Sequence, residues 1–185
     1  KKQLASDVCH MAGCASFGVR ENLFRAAIRE QNAVLQRSAG GHLSGEQVYA
    51  VRHVLSRTQF SAVVGLAGAG KSTMLSAARH AWEAQGYRVF GAALSGKAAD
   101  GLENSSEIKS RTLAGWEMCW KHGRRLLQPG DVFVIDEAGM IPTRQLARFM
   151  SEAKKRRAKI VLVGDPEQLQ PIQAGTPFAD TLKTT

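Results

Sequence analysis

The sequence predicts an α/β protein in which a mainly parallel β-sheet is flanked by helices. Short apolar runs typical of buried strands occur at residues 62–64, 87–93, 131–138 and 159–163. Stretches with the apolar spacing of helices lie between these runs. Strands that alternate with helices pair in parallel, because each helix carries the chain back across the sheet.

The first part of the chain is expected to form a helical segment ahead of this sheet. Leu4, Val8 and Met11 are spaced for one face of a helix, and a glycine pair follows residue 39. We therefore divide the chain into a helical lead-in over residues 1–40 and a sheet domain over residues 41–185.

Composition sets the broad class of the protein. A chain of 185 residues with 44% hydrophobic residues can bury the core of one ordinary domain. No apolar run approaches a membrane span, and nothing resembles a signal peptide. Three cysteines are an odd and sparse set, which indicates a reducing cytoplasm. Because the first residue is lysine rather than methionine, we expect the chain to be a piece of a longer protein.

The chain is strongly basic, with 25 Lys and Arg residues against 16 Asp and Glu residues and a formal net charge of +9. Such a charge favours a polyanionic partner such as nucleic acid. A basic protein that is simply soluble is an equally good interpretation from charge alone.

A glycine-rich segment at residues 65–73 fits the spacing G-x-x-x-x-G-K-[ST] of the P-loop. A short strand precedes it and a helix at residues 74–84 follows it, which is the context that the motif requires. Its backbone N–H groups and the helix dipole would hold the phosphates of a nucleotide. The lysine would reach the β- and γ-phosphates, and the serine hydroxyl would bind Mg²⁺. The candidate nucleotide-binding residues here are Gly65, Ala67, Gly68, Ala69, Gly70, Lys71, Ser72 and Thr73.

Two adjacent carboxylates end the apolar run at residues 131–138. A buried strand that delivers carboxylates to its end is costly unless a cation lies there. Asp136 is therefore a candidate Mg²⁺ ligand together with Ser72. Glu137 is the candidate catalytic base for an attacking water. The alternative is an acidic helix N-terminus, which is common.

Two glutamines are candidates for contacts with the nucleotide. Gln168 follows the run at residues 159–163, where a parallel sheet would bring it beside the P-loop and the γ-phosphate. A polar turn is the alternative. Gln47 lies three residues after Ser44, which is the spacing of a capping box. It could instead read the edge of an adenine base through its amide.

Nucleic-acid contacts are expected at a second helix start. Ser95, Gly96 and Lys97 follow the run at residues 87–93 and form a phosphate-binding shape. An ordinary strand-to-helix turn is the alternative. We interpret Trp116 as a core residue rather than a base-stacking one. The basic helix predicted at residues 142–156 is interpreted as a solvated outer helix.

Together these segments resemble the first RecA-like domain of superfamily 1 helicases, in the RecD-like branch. Gln47 matches the Q motif and residues 65–73 match motif I. Residues 95–99 match motif Ia, residues 110–112 lie at motif Ib, residues 136–138 match motif II and residues 164–171 match motif III. A narrower resemblance is to the helicase region of TraA-type conjugative relaxases.

The resemblance implies a helicase motor domain that uses ATP and Mg²⁺ and moves along single-stranded DNA. It adds Arg111 and Thr112 of motif Ib to the candidate DNA contacts, and it gives Lys71, Glu137 and Gln168 catalytic roles. It also implies 5′→3′ movement and a second RecA-like domain, outside this chain, that supplies an arginine to the ATP site. The alternative function is a nucleic-acid-binding or scaffold module with a vestigial nucleotide site.

Overall fold

The structure, a computed structural model, describes residues 2–65, 70–124 and 126–164. The helices are α1 (Lys2–Gly13), α2 (Glu21–Ala39), α3 (Gly45–Val54), α4 (Lys71–Gln85), α5 (Gly96–Ser106), α6 (Leu113–Lys121) and α7 (Thr143–Arg156). The strands are β1 (Phe60–Val64), β2 (Arg88–Ala93), β3 (Ser110–Thr112), β4 (Asp131–Ile135) and β5 (Lys159–Gly164). A single 3₁₀ turn spans Ala138–Met140. None of the helices among the described residues is both long and apolar enough to cross a membrane.

The five strands form one sheet in the order β1-β5-β4-β2-β3, and all four pairings are parallel. The register pairs Ala62 of β1 with Leu162 of β5, and Ala92 of β2 with Ile135 of β4. Because every strand runs in the same direction, all carboxyl ends lie at one edge of the sheet. The predicted α/β fold with a parallel sheet flanked by helices is confirmed.

One strand was not predicted. The sequence interpretation passed directly from residue 110 to a helix, whereas Ser110–Thr112 forms β3 at the edge of the sheet. The strand has three residues, and among the described strands its partner is β2. So short a segment carries too little alternation of apolar and polar residues to be recognised from sequence.

The sheet separates two hydrophobic cores, and β4 contributes to both. Phe133 and Ile135 point to the face covered by α1, α6 and α7. Val132 and Val134 point to the opposite face, which α2, α3, α4 and α5 cover. All five residues of β4 are buried, as expected for a central strand of a parallel sheet with helices on both sides.

The two N-terminal helices lie on opposite faces of the sheet. Helix α1 packs against α7, and α2 packs against α4. Leu4, Val8 and Met11 of α1 are buried in one core, as their spacing predicted. Phe24 and Ala27 of α2 are buried in the other core.

Trp116 lies in the core, as interpreted from the sequence. Its side chain is 2% exposed, and its indole N–H donates to the carbonyl oxygen of Gly91 at 2.8 Å. Its ring meets that of Phe133 edge-on with 5.2 Å between centroids. The predicted inner face of α7 is also buried: Leu146, Phe149, Met150 and Ala153.

Lys159 is a fully buried lysine at the start of β5. Its ammonium group donates to the carbonyl oxygens of Ser56 and Thr58 and to the Ser61 hydroxyl, so it ties the turn before β1 to the sheet. Burial lowers the pKa of Lys159 to about 7.

Gly91 lies where β2, β3 and α5 approach one another closely. A Cβ atom at this position would overlap the Ser110 hydroxyl and lie 2.8 Å from the Leu102 side chain. We expect Gly91→Ala to lower the free energy of unfolding by about 1–3 kcal/mol, as overpacking does. Gly101→Ala is the matched control, because nothing lies within 4 Å of a Cβ there. Equal midpoints for both variants in urea denaturation would contradict the packing described here.

The lowered pKa of Lys159 predicts a pH dependence of stability. The unfolded chain keeps the proton up to about pH 10.5, whereas the folded chain loses it near pH 7. Because the unfolded state binds more protons between these values, the free energy of unfolding should rise with pH across that window, by a few kcal/mol at most. His53 lies outside the window, since burial and the charge of Lys159 lower its pKa from 6.5.

Denaturation of the wild type and Lys159→Met between pH 7 and pH 9.5 measures this rise. The wild type should gain stability with pH, and the variant should lose that gain. The same pH slope in both proteins would show that another group causes it.

Candidate nucleotide-binding site

The carboxyl edge of the sheet gathers the segments that the sequence singled out. Strand β1 leads into Gly65, and the Gly65 N–H donates to the carbonyl oxygen of Gly164 at the end of β5 at 3.1 Å. Strand β4, which leads into Asp136, is the next strand along. The glycine-rich segment and the acidic pair are therefore separated by the width of one strand.

The far end of the glycine-rich segment is held in the conformation that starts a helix. Gly70 has a φ of +73° and directly precedes α4, whose first residue is Lys71. The Lys71 ammonium group donates to the carbonyl oxygen of Gly65 at 2.7 Å, so the lysine side chain joins the two ends of the segment. Ser72 and Thr73 follow in the first turn of α4 and are half-buried. Ala67, Gly68 and Ala69 lie outside the described residues.

Gln47 contacts this segment from α3. Its backbone N–H donates to the Ser44 hydroxyl at 3.1 Å, and its side-chain oxygen accepts from the Ser44 N–H at 2.8 Å, which confirms the capping box. Its amide nitrogen lies so close to Gly70 that a Cβ there would overlap it. Gln47 thus needs a glycine at position 70, both for space and for the positive φ. Its role in adenine recognition stays a prediction.

Asp136 lies directly after β4 and is held by its backbone. Its N–H donates to the carbonyl oxygen of Ala92 at 2.9 Å, and its carboxylate accepts from the Glu137 N–H at 2.8 Å. Burial raises the pKa of Asp136 above its usual value, while that hydrogen bond and the charge of Lys71 act in the opposite direction. The glycine-rich segment and Asp136 lie at the same edge of the sheet, close enough for the charge of Lys71 to act on the pKa of Asp136.

Glu137 adopts a backbone conformation that is uncommon for residues other than glycine. Its φ is +53° and its ψ is +35°, and it precedes the 3₁₀ turn. A residue with a side chain costs about 1–2 kcal/mol in this region. Such strain concentrates at functional sites, where the surrounding structure enforces it.

The donor set at this edge suits a hard cation. The Ser72 hydroxyl and the Asp136 carboxylate offer oxygen ligands, which Mg²⁺ prefers. In the part of the chain that the structure describes, no cluster of three or more His, Cys, Asp or Glu residues could hold a metal.

The candidate nucleic-acid contacts lie at the ends of the two remaining strands. Ser95 follows β2 and caps α5, with its hydroxyl accepting from the Ala98 N–H at 3.2 Å. Thr112 ends β3 and caps α6. Lys97 and Arg111 are exposed. The structure thus explains Ser95 and Thr112 as helix caps, and it leaves the cationic side chains turned toward solvent.

Gly96 is the first residue of α5, beside Lys97. Gln168 lies outside the described residues, although β5, which leads toward it, is the neighbour of β1 as expected. Two exposed apolar side chains at this edge were not singled out from the sequence: Leu94, directly after β2, is 40% exposed, and Met140, at the end of the 3₁₀ turn, is 51% exposed.

The sheet is parallel throughout, a glycine-rich segment and a lysine follow β1, and an Asp-Glu pair follows β4, two strands away. This combination defines the RecA-like class of P-loop proteins. The comparison with protein families agrees with this assignment. The model of a family described as "AAA domain" matches residues 42–185. The chain belongs to this family, in its RecD-like helicase branch.

Curated relatives carry similar sequences. A probable conjugal transfer protein TraA of Sinorhizobium fredii is 49% identical over 176 residues, which is 95% of this chain and 15% of the relative. A conjugal transfer protein TraA of Rhizobium radiobacter is 58% identical over 136 residues, or 74% of this chain and 12% of the relative. An ATP-dependent RecD2 DNA helicase of Deinococcus radiodurans is 28% identical over 98% of this chain and 24% of the relative. The chain thus spans less than a quarter of the length of each of these proteins.

Proposed function

We propose that this chain is the ATP-binding and ATP-hydrolysing motor domain of a DNA helicase. This helicase moves 5′→3′ and forms part of a conjugative relaxase. The observation that carries the proposal is that the parallel strands β1, β5 and β4 bring the Gly65–Lys71 contact and Asp136 to one edge of the sheet. The similarity to proteins named TraA and to a RecD2 DNA helicase supports the conjugative and helicase parts of the proposal.

The residues at the site have distinct roles in this proposal. The Lys71 ammonium group exchanges the Gly65 carbonyl oxygen for the β- and γ-phosphate oxygens of ATP. Ser72 and Asp136 would hold Mg²⁺, which supplies positive charge to the phosphates when bound. Glu137 accepts a proton from the attacking water, and Gln168 contacts the γ-phosphate. The backbone N–H groups of residues 65–73 bind the remaining phosphate oxygens.

A second RecA-like domain is the proposed partner of this edge. Asp136 and Glu137 are only half-buried, so the site is open on the side where another domain would close it. In the proposal that domain contributes an arginine that stabilises charge on the transferring phosphoryl group. The relatives have ample further sequence to supply such a domain, since this chain covers 15% or less of the two TraA proteins.

Single-stranded DNA is the proposed substrate of the same edge. Its phosphates contact Lys97 and Arg111, together with the N–H groups at the start of α5. Strand β2 links this region to the proposed ATP site. Ala92 of β2 lies two residues before Leu94, and its carbonyl oxygen accepts a hydrogen bond from the Asp136 N–H. A movement of the loop that follows β2 therefore reaches Asp136 through one backbone hydrogen bond.

The P-loop assignment is tested with Lys71→Ala. We expect the wild-type chain to bind Mg²⁺–ATP weakly and to hydrolyse it poorly without its partner domain, and the variant to bind at least about tenfold more weakly. Isothermal titration with ATP measures the difference. Lys97→Ala is the matched control, because it removes an exposed lysine from the first turn of another helix. Equal affinity in the Lys71→Ala variant and the wild type would refute the assignment.

The base role is tested with Glu137→Gln in the full-length protein. The variant should keep ATP binding and lose turnover by about a hundredfold or more, since the amide cannot accept the proton of water. Steady-state hydrolysis with and without single-stranded DNA measures the loss. Glu107→Gln is the control, because Glu107 also has a positive φ, of 57°, but lies away from the site. DNA binding without any ATPase activity in the wild type would favour the scaffold alternative.

A further inference from the structure

We propose that a groove at the opposite edge of the sheet is a second binding site for the phosphodiester backbone of single-stranded nucleic acid. The proposal takes the class of partner from the proposed function but concerns residues that have no part in the ATP site. It adds a contact on the side of the domain that faces away from Lys71 and Asp136.

The groove lies where the strands begin. Gln59, Tyr87, Gly130 and Arg157 line it, and they precede β1, β2, β4 and β5 by one or two residues. Helices α1 and α7 form its other walls. Its volume is about 780 Å³, which is room for a segment of chain rather than a single ion.

The groove is positively charged. Lys154, Lys155 and Arg157 line it, and Asp7 is the one acid among the described residues that line it. Asp7 is 2% exposed and already pairs with Lys154 at 2.8 Å. Lys155 and Arg157 are exposed, and within the described ranges neither forms a salt bridge.

The neighbouring acidic side chains also form ion pairs with other residues. Glu152 pairs with Arg156 at 2.8 Å, and buried Asp131 pairs with Arg88 at 2.7 Å. No acid of α7 or of the turn before β4 is therefore left to neutralise the groove. Its positive charge remains available to an anionic partner.

The helix dipole accounts for some of the basic residues near the groove but not for all of them. Cations in the last turn of a helix are favoured by the helix dipole, and α7 ends with Lys154, Lys155 and Arg156. Arg157 lies beyond that turn with a φ of 54°, a position that favours glycine. The sequence interpretation of α7 as a solvated helix thus leaves Arg157 unexplained.

The groove also carries aromatic side chains, which favours nucleic acid over an acidic peptide. The rings of Phe17 and Tyr87 lie 5.8 Å apart at its wall, and the Tyr87 hydroxyl donates to the Gly18 carbonyl oxygen at 3.3 Å. Tyr87 is half-buried and lines the groove together with Lys155 and Arg157. Grooves that bind single strands combine cations, which contact the phosphate backbone, with an aromatic ring on which a base stacks.

The test is the affinity of the whole chain for a fluorescein-labelled 20-nucleotide oligo(dT), measured by anisotropy without ATP. We expect Lys155→Glu with Arg157→Glu to weaken binding about tenfold or more near 0.1 M salt. The slope of log K against log salt should fall by about 1.4, as for two lost phosphate contacts on a single strand. Should the double variant fold poorly, Lys155→Gln with Arg157→Gln gives the same direction with a smaller effect.

The matched control is Arg29→Glu with Arg37→Glu on α2. Both arginines are exposed, and α2 covers the face of the sheet opposite to α7. The control also replaces two cations with glutamate, so it changes the net charge by the same amount as the test variant. The control should change affinity less than about twofold. Equal losses in both double variants would show a net-charge effect and overturn the proposal.

Two further arms separate the alternatives. Poly-glutamate that displaces the oligonucleotide as well as unlabelled oligo(dT) does would assign the groove to acidic peptides and overturn the proposal. Lys97→Glu with Arg111→Glu tests the contacts at the other edge. Loss of binding only in the Lys155/Arg157 variant would support the groove while refuting the DNA contacts of the proposed function; loss only in the Lys97/Arg111 variant would do the reverse.

Discussion

The parallel pairing of β1, β5 and β4 is the constraint on which the site depends. Each strand ends at the same edge, so Gly65 after β1 and the acids after β4 are separated by β5 alone, although more than 60 residues separate them in sequence. At that edge burial raises the pKa of Asp136, and the charge of Lys71 partly offsets this rise. A slip of β4 by one residue would exchange the faces of all its side chains, so the two packed cores fix this geometry.

The parts of the fold that could be predicted were those with strong local signals. The apolar run of β4, the strand and helix on either side of the glycine-rich segment, and the four inward residues of α7 were all identified from spacing. The capping box at Ser44 was also visible in the sequence, because it depends only on residues three positions apart. These features are set by local chemistry, which a single sequence records.

The remaining features depend on contacts between distant segments. Strand β3 forms because β2 offers it a partner, and the approach of Gln47 to Gly70 depends on where α3 packs. The sequence placed the end of β5 beside the glycine-rich segment but did not give the full order of the strands, so it could not show that β5 separates β1 from β4. The positive φ of Glu137 likewise left no sequence signal, since glycine is the residue expected there.

Helices α1 and α2 cover opposite faces of the sheet, so both belong to the folding unit. The family match begins at residue 42, yet Met11 and Phe24 are buried in opposite cores. A truncation at the family boundary would strip apolar cover from both sides of the sheet at once. The segment that the family model matches is therefore smaller than the packed body whose two cores hold the carboxyl edge of the sheet in shape.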